Sequence, residues 1–311
     1  MACLAAVLLV PTSCEDGFLD TDPQGKLPDQ VFWQSGDDAT KAVNAMYANL
    51  RSWGNTAFPA IAVESIGSDD AEKGSSVSDA TFFNMYDEFT IGSTEGQLGG
   101  FWEAQYQNIN YANQVLTNIP GITMDESLKG RYLAEAKFVR AYSYFRLVRA
   151  FGDVPLRLTL AADASEYNIP RKPKAEVYAA VEKDLTEAIA VLPASYGKAE
   201  AGRITKGAAQ SLLAKVSMYQ QKWQQGYDLT NQVMTSGLYS LVPNYEQLFR
   251  LVNENSAESI FEIQNELVLD NKDASNSQYS QVQGVRGVVG GGWGFNVPTA
   301  ELASSYETGD P

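Results

Sequence analysis

Histidine is absent from this chain of 311 residues, and its absence removes several classes of site. A Ser-His-Asp triad and a Cys-His dyad both need an imidazole as the general base. Zinc sites are built from imidazole, thiolate and carboxylate ligands, and the chain has only two cysteines, Cys3 and Cys14. We therefore expect no catalytic site of these kinds, no imidazole or thiolate metal site and no cofactor.

Basic residues are also scarce, with 23 Lys and Arg against 38 Asp and Glu and a formal net charge of −15. A surface of this sign repels phosphate groups, so we expect no nucleic-acid partner. A neutral ligand is compatible with such a charge. Sixteen Tyr and five Trp supply flat rings, and the hydrophobic fraction of 44% is sufficient for a large core.

The N-terminus is typical of a lipoprotein. Residues 4–10 form an apolar run that is too short for a membrane-spanning helix, which needs about 20 residues, but fits a secretory signal. Small residues then precede Cys14, as in signals whose cysteine thiol is alkylated by diacylglycerol. We predict a signal peptide over residues 1–13, whose basic start we expect to lie upstream, lipidation at Cys14, and an acidic tether over residues 14–30. An ordinary cleaved signal and a frayed apolar terminus are the alternatives.

Most of the remaining chain has apolar residues at steps of three and four, the spacing of amphipathic helices. Ser35 and Thr205 suit N-cap positions. Helix pairs that recur about every 35–40 residues indicate tetratricopeptide-like stacking. The predicted fold is mainly α, with tetratricopeptide-like helical hairpins and long irregular loops. The predicted helices cover residues 37–50, 101–119, 128–151, 174–192, 205–221 and 223–236.

Three segments interrupt this helical pattern. Residues 51–100 are rich in Gly, Ser, Asp and aromatic residues, and we expect ten or more of them to form long loops, which are frequent ligand sites on helical scaffolds. Residues 258–263 alternate between polar and apolar and predict a short strand. Residues 284–294 contain six glycines around Trp293, so they cannot form a helix interior.

The tryptophans divide into two groups by context. Those within or beside predicted helices should pack in the core, as large rings usually do. Those in irregular segments are candidates for ligand contact, because sugars present flat C–H faces to rings and polar edges to hydrogen-bonding groups. The first group is Trp33, Trp102 and Trp223; the second is Trp53 and Trp293.

Further ligand candidates lie in or beside the same two irregular segments as these rings. We predict ligand contact for Phe83, Tyr86, Asp69, Asp70 and Asn296. An acidic, solvated loop is the alternative for the aspartates, and a packed hinge is the alternative for Trp293. Paired carboxyl groups such as Asp69 and Asp70 also raise the possibility of glycosidase chemistry, which needs two carboxyls about 5–10 Å apart across a cleft.

Three runs of sequence are distinctive in combination. They are AEAKFVRAYSYF at 134–145 followed by FGDVPL at 151–156, RITKGAA at 203–209, and GWGFNVPT at 292–299. Together with the opening around Cys14, and in this order, they resemble the SusD/RagB family of outer-membrane nutrient-binding lipoproteins. On this resemblance, residues 31–311 would form a SusD-like helical domain, and the C-terminal part of the family would be missing from this sequence.

The resemblance also implies a function. It implies an α–α superhelix of four tetratricopeptide-like helix pairs, held to the cell surface of the outer membrane by its lipid. It implies a non-catalytic protein that captures oligosaccharide and delivers it to a SusC-like TonB-dependent transporter. A peptide-binding importer subunit of the RagB type is one alternative, and a tetratricopeptide-like adaptor that binds only protein is another.

Overall fold

The computed structural model describes residues 32–266, 278–288 and 291–309, so the predicted signal, Cys14 and the tether lie outside it. The fold is mainly α, as predicted. Its helices are α1 (Gly36–Asn49), α2 (Trp53–Thr56), α3 (Phe58–Ile61), α4 (Asn84–Asp87), α5 (Gly96–Asn118), α6 (Glu126–Phe151), α7 (Lys174–Val191), α8 (Lys206–Tyr219), α9 (Trp223–Thr235), α10 (Tyr279–Gln283) and α11 (Ala300–Ser304).

The described strands are short and pair in two antiparallel ladders. Strand β1 (Ala71–Gly74) pairs with β4 (Phe295–Pro298), and β2 (Val154–Pro155) pairs with β3 (Arg171–Lys172). Among the helices of the described ranges, none combines the length and the apolar character that crossing a bilayer requires.

Capping side chains determine where the long helices begin. The Ser35 hydroxyl accepts a hydrogen bond from the Asp38 N–H, and the Asp38 carboxylate accepts one from the Ser35 N–H, which completes a capping box for α1. Thr205 caps α8 as predicted. The Glu95 carboxylate accepts the N–H groups of Gln97 and Leu98, so α5 begins five residues before the predicted start at 101.

Helix α6 is central and packs between α5 and α7. Arg140 on α6 makes two hydrogen bonds to the Asp184 carboxylate on α7, at 2.7 and 2.8 Å. The same guanidinium donates to Asn113 Oδ1 on α5 at 2.8 Å and to the Leu158 carbonyl at 2.7 Å. This buried cation therefore joins three helices and the chain after β2.

Two predictions about the C-terminal half are wrong. Trp223 was expected in the core but is 61% exposed, because α9 packs on α8 through Gly226, Leu229 and Val233. Residues 258–263 form no strand. A strand needs a neighbouring strand for its backbone hydrogen bonds. Ile260, Phe261 and Ile263 instead pack their side chains against the helical core, where the described residues offer no strand to pair with.

The segment 51–100 contains loops, as predicted, at residues 67–70, 75–80 and 88–95. Short regular elements lie around them: α2, α3, a π-helical turn (Ala62–Ile66), β1, a 3₁₀ turn (Thr81–Phe83) and α4 before α5 begins.

Removing Arg140 tests the central ion pair. We expect Arg140→Ala to lower the free energy of unfolding by about 3–5 kcal/mol, because the Asp184 carboxylate would remain buried without its cation. Urea unfolding followed by circular dichroism measures this loss. The control is Arg250→Ala, which breaks an exposed pair with Glu246 and should cost less than about 1 kcal/mol. Similar losses in both variants would contradict the assigned role.

Candidate ligand-binding site

A second hydrophobic cluster, separate from the helical core, contains a group of aromatic rings in contact with one another. Most contacts are tilted or edge-to-face, as the charge distribution of aromatic rings favours. The ring centroids of Trp53 and Phe58 are 5.1 Å apart, those of Phe58 and Trp293 are 5.7 Å apart, and those of Trp53 and Trp293 are 6.3 Å apart. We call the aromatic residues of this cluster, together with Trp53, which contacts two of them, the ring cluster; its members are Trp53, Phe58, Phe82, Phe83, Tyr86, Trp293 and Phe295.

The β1–β4 ladder brings the distant parts of the ring cluster together. Gly74 pairs with Phe295, and the Ser75 N–H donates to the Gly294 carbonyl at 2.6 Å. A Cβ on Gly74 would lie 2.5 Å from that carbonyl oxygen, and the residue has a φ of +65°. Glycine is therefore needed at position 74 for the Trp293 segment to approach the first part of the chain.

Only part of the ring cluster is accessible to a ligand. Trp53 is 39% exposed and Trp293 is half-buried. Phe83 and Tyr86 are 0% and 1% exposed, and the Tyr86 hydroxyl donates to the Glu95 carboxylate. The predicted ligand contact does not suit these two residues, because neither ring has a free face. Phe83 instead packs against Phe58, with ring centroids 4.8 Å apart, and Phe58 in turn contacts both tryptophans.

The predicted aspartates lie away from the tryptophans. Asp69 and Asp70 are exposed, and their carbonyls accept hydrogen bonds from the hydroxyl and N–H of Thr299. This places them at the Ala71–Pro298 end of the β1–β4 ladder, whereas Trp293 lies just beyond the opposite end, where Gly74 pairs with Phe295. Asp70 lies four positions before Gly74, a distance of roughly 13 Å along an extended strand. The structure therefore does not bring these carboxylates to the ring cluster.

Asn296 has a structural role. Its φ of +61° lies in the left-handed region, which asparagine tolerates better than most residues. Its Oδ1 accepts from the Ser65 hydroxyl at 2.7 Å, and its Nδ2 donates to Gln283 Oε1 at 2.6 Å. The amide thus ties β4 to the π-helical turn and to α10.

Arg286 is a polar neighbour of Trp293 that the sequence did not indicate. Its guanidinium donates to the Asp79 carboxylate at 2.6 Å, to the Ser75 hydroxyl at 2.7 Å and to the Trp293 carbonyl at 3.3 Å. The hydrogen bond from Arg286 holds the pKa of Asp79 below its usual value. No local spacing could have indicated this group, because Asp79 and Arg286 lie far apart in the sequence.

A buried polar network fixes α2, which carries Trp53, to the helical core. Asn55 Oδ1 accepts from Gln105 Nε2 at 3.1 Å, from Asn108 Nδ2 at 2.9 Å and from Arg146 at 3.2 Å. Arg146 also donates to both carboxylate oxygens of Glu64, at 3.0 and 2.6 Å. We call Asn55, Glu64 and Arg146 the polar clamp. It joins the start of the ring cluster to α5 and α6.

A close backbone approach accompanies the polar clamp. A Cβ on Gly54 would lie 2.6 Å from the Ala104 Cβ and 2.8 Å from the Gly100 carbonyl oxygen. Only glycine lets α2 lie this close to α5. Within the part of the chain that the structure describes, no three His, Cys, Asp or Glu side chains gather as a metal site would require.

Comparison with known proteins identifies relatives of this chain. A SusD-like family model described as "Starch-binding associating with outer membrane" matches residues 17–218. SusD-like protein P2 of Formosa agariphila is 28% identical over 318 aligned positions, which cover 98% of this chain and 61% of that protein. A SusD-like protein of Bacteroides ovatus is 29% identical over 279 aligned positions, which cover 84% of this chain and 48% of that protein.

Solved structures agree with these matches. A laminarin-binding SusD-like protein superposes with a TM-score of 0.79 at 31% identity, over 87% of this chain and 64% of its own. Surface glycan-binding protein A from Bacteroides fluxus superposes with a TM-score of 0.75 at 24% identity, over 89% of this chain and 63% of its own. The chain therefore spans less than two thirds of the length of these relatives.

Substitution of Gly54 tests the close approach of α2. We expect Gly54→Ala to lower the free energy of unfolding by about 1–3 kcal/mol, because the added methyl group overlaps α5. Chemical unfolding followed by tryptophan fluorescence measures it. Gly99→Ala on α5 is the matched control: its Cβ meets nothing within 4 Å, so the change should be neutral or stabilise by up to about 1 kcal/mol. Equal effects at the two positions would argue against the close packing.

Proposed function

The chain belongs to the SusD-like family, and from this premise we propose that it is a non-catalytic protein that binds glycan at the outer membrane. The accessible rings of the ring cluster, Trp53 and Trp293, are the proposed contact for the sugar. The observation that carries this proposal is that the Trp53 and Trp293 ring centroids lie 6.3 Å apart and that the Trp53 side chain is 39% exposed. The 31% identical relative that binds laminarin supports the ligand class.

The chemistry of the ring cluster suits a neutral sugar. Trp53 and Trp293 offer apolar surface to the C–H faces of a pyranose, and Phe58 contacts both rings from the side. Asp79, Ser75 and Arg286 supply polar groups near Trp293. Because the charges of Asp79 and Arg286 offset each other, the site should not prefer a charged ligand to a neutral one.

The carboxyl groups of this region do not suit hydrolysis of a glycosidic bond. A glycosidase needs a general acid whose pKa is raised, facing a second carboxyl across the substrate. The pKa of Asp79 is instead lowered by Arg286. Burial raises the pKa of Asp87, but its carboxylate accepts a hydrogen bond from the Lys73 backbone N–H. These observations favour binding without cleavage.

We further propose that the protein is anchored through lipid on Cys14 and delivers glycan to a SusC-like TonB-dependent transporter. Cys14 lies outside the described residues, so this proposal rests on the sequence around it and on the outer-membrane association of the family. Several acyl chains on one cysteine would hold the protein stably, whereas a single chain gives marginal binding.

Tryptophan substitutions test the proposed ligand contact. We expect Trp53→Ala and Trp293→Ala each to weaken binding by about ten-fold or more, since central aromatic residues usually dominate binding energies. Isothermal titration calorimetry against a panel of neutral polysaccharides, beginning with laminarin, measures the affinity. Trp223→Ala is the matched control, because that ring is exposed on α9 and should not affect the affinity.

Three results would contradict the proposal. They are wild-type affinity in both ring-cluster variants, release of sugar from the polysaccharide by the pure protein, and binding of peptides but no glycan in the same assay. The last result would instead support the peptide-importing alternative.

Substitution of Cys14 tests the anchor. We expect Cys14→Ser to move the protein from the membrane fraction to the soluble fraction and to abolish labelling by radioactive palmitate, because the thiol that carries the lipid is gone. Cys3→Ser is the matched control, since Cys3 is the other cysteine of the chain, and it should keep both properties. Membrane association of Cys14→Ser would reject lipidation at this residue.

A further inference from the structure

A groove of about 520 Å³ lies on α5, outside the ring cluster. Trp102 and Tyr106 of α5 line one side, and Arg157, Tyr167 and Asn168 of the β2–β3 connection line the other. Its size falls within the range of about 300–1,000 Å³ that is usual for small-molecule sites. We call it the α5 groove.

The α5 groove and the ring cluster lie on opposite sides of one helix. Gly100 and Ala104 face α2 and the start of the ring cluster. Trp102 and Tyr106 each follow one of these residues by two positions, which is about 200° around a helix with 3.6 residues per turn. The two ligand regions are therefore separated by roughly one helix diameter, about 10–12 Å.

Supporting contacts hold the two rings on α5 in place. The Trp102 ring meets Phe151 edge-to-face with centroids 5.0 Å apart, and the Tyr106 hydroxyl donates to the Pro155 carbonyl at 2.7 Å. The Trp102 and Tyr106 centroids are 4.9 Å apart, and both side chains are half-buried. The wall is thus ordered before a ligand arrives, which lowers the entropic cost of binding.

The opposite wall is fixed through Arg157. The Tyr144 hydroxyl accepts from the Arg157 N–H at 2.6 Å and donates to the Arg157 carbonyl at 2.8 Å, so the backbone there is tied to α6. The Arg157 guanidinium donates to the Glu166 carbonyl, next to Tyr167. Tyr167 itself is 68% exposed and presents its ring at the edge of the groove.

We propose that the α5 groove is a second carbohydrate-binding site, which takes neutral sugar residues of the same polysaccharide. Trp102, Tyr106 and Tyr167 provide rings for C–H faces, while the Asn168 amide and the Arg157 guanidinium provide groups for hydroxyls. The glycan ligand class rests on the proposed function; the location of the groove does not.

Two sites on opposite sides of α5 would bind long polysaccharide chains more tightly than short ones. After one part of a polysaccharide binds, contact with the second site is intramolecular and occurs at a high effective concentration. A short oligosaccharide reaches only one site at a time. The protein would therefore retain polymer at the cell surface more strongly than the fragments produced from it.

The experiment compares laminaritriose and laminarin binding by calorimetry. The wild type should bind two molecules of laminaritriose, and Tyr167→Ala and Trp293→Ala should each bind one. Tyr167→Ala should also weaken laminarin binding by about ten-fold or more through the lost second contact. Trp102→Phe, which keeps a ring against Phe151, should give a smaller loss of the same kind. Tyr227→Ala on α9, where the side chain is 67% exposed, is the matched control.

The outcomes separate the two proposals. If Trp293→Ala abolishes all binding and Tyr167→Ala binds like the wild type, the groove proposal is overturned and the ring cluster stands. If Tyr167→Ala abolishes binding and Trp293→Ala does not, the groove stands and the ring-cluster proposal fails. If the wild type binds no neutral oligosaccharide of the panel, both are overturned.

Discussion

The buried guanidinium of Arg146 donates to Asn55 and to both oxygens of Glu64, and the candidate site depends on this contact. A charge at this depth is stable only when it is paired and its donors are used. The pairing fixes α2 and the π-helical turn against α6. Trp53 therefore lies on an element held by the helical core, although its own helix has four residues.

The same constraint explains how irregular segments can form an ordered site. Short helices and isolated two-stranded ladders have little stability of their own. Here the polar clamp fixes one part of the ring cluster, and the β1–β4 ladder joins Trp293 to it. Rings held in this way lose little freedom when a ligand binds, which favours affinity. The α5 groove follows the same principle, because Tyr144 and Phe151 of α6 support its two walls.

The helices could be predicted largely from the sequence because their apolar spacing and caps are local signals. The start of α5 was missed because Gly96, Gly99 and Gly100 argue locally against a helix, whereas Glu95 caps it. The exposure of Trp223 was missed because periodicity does not show what covers a helix face. Trp53 and Trp293 could be selected as rings in irregular segments. Their meeting, and the roles of Arg146 and Arg286, depend on contacts between residues distant in the sequence, which no spacing reveals.

The most direct test of the central claim is a crystal structure of the protein with a bound laminarin oligosaccharide. A pyranose stacked on Trp53 or Trp293, with its hydroxyls near Asp79 or Arg286, is the result that the polar clamp and the ring cluster predict. Bare faces on both tryptophans, with sugar bound on another surface, would contradict it.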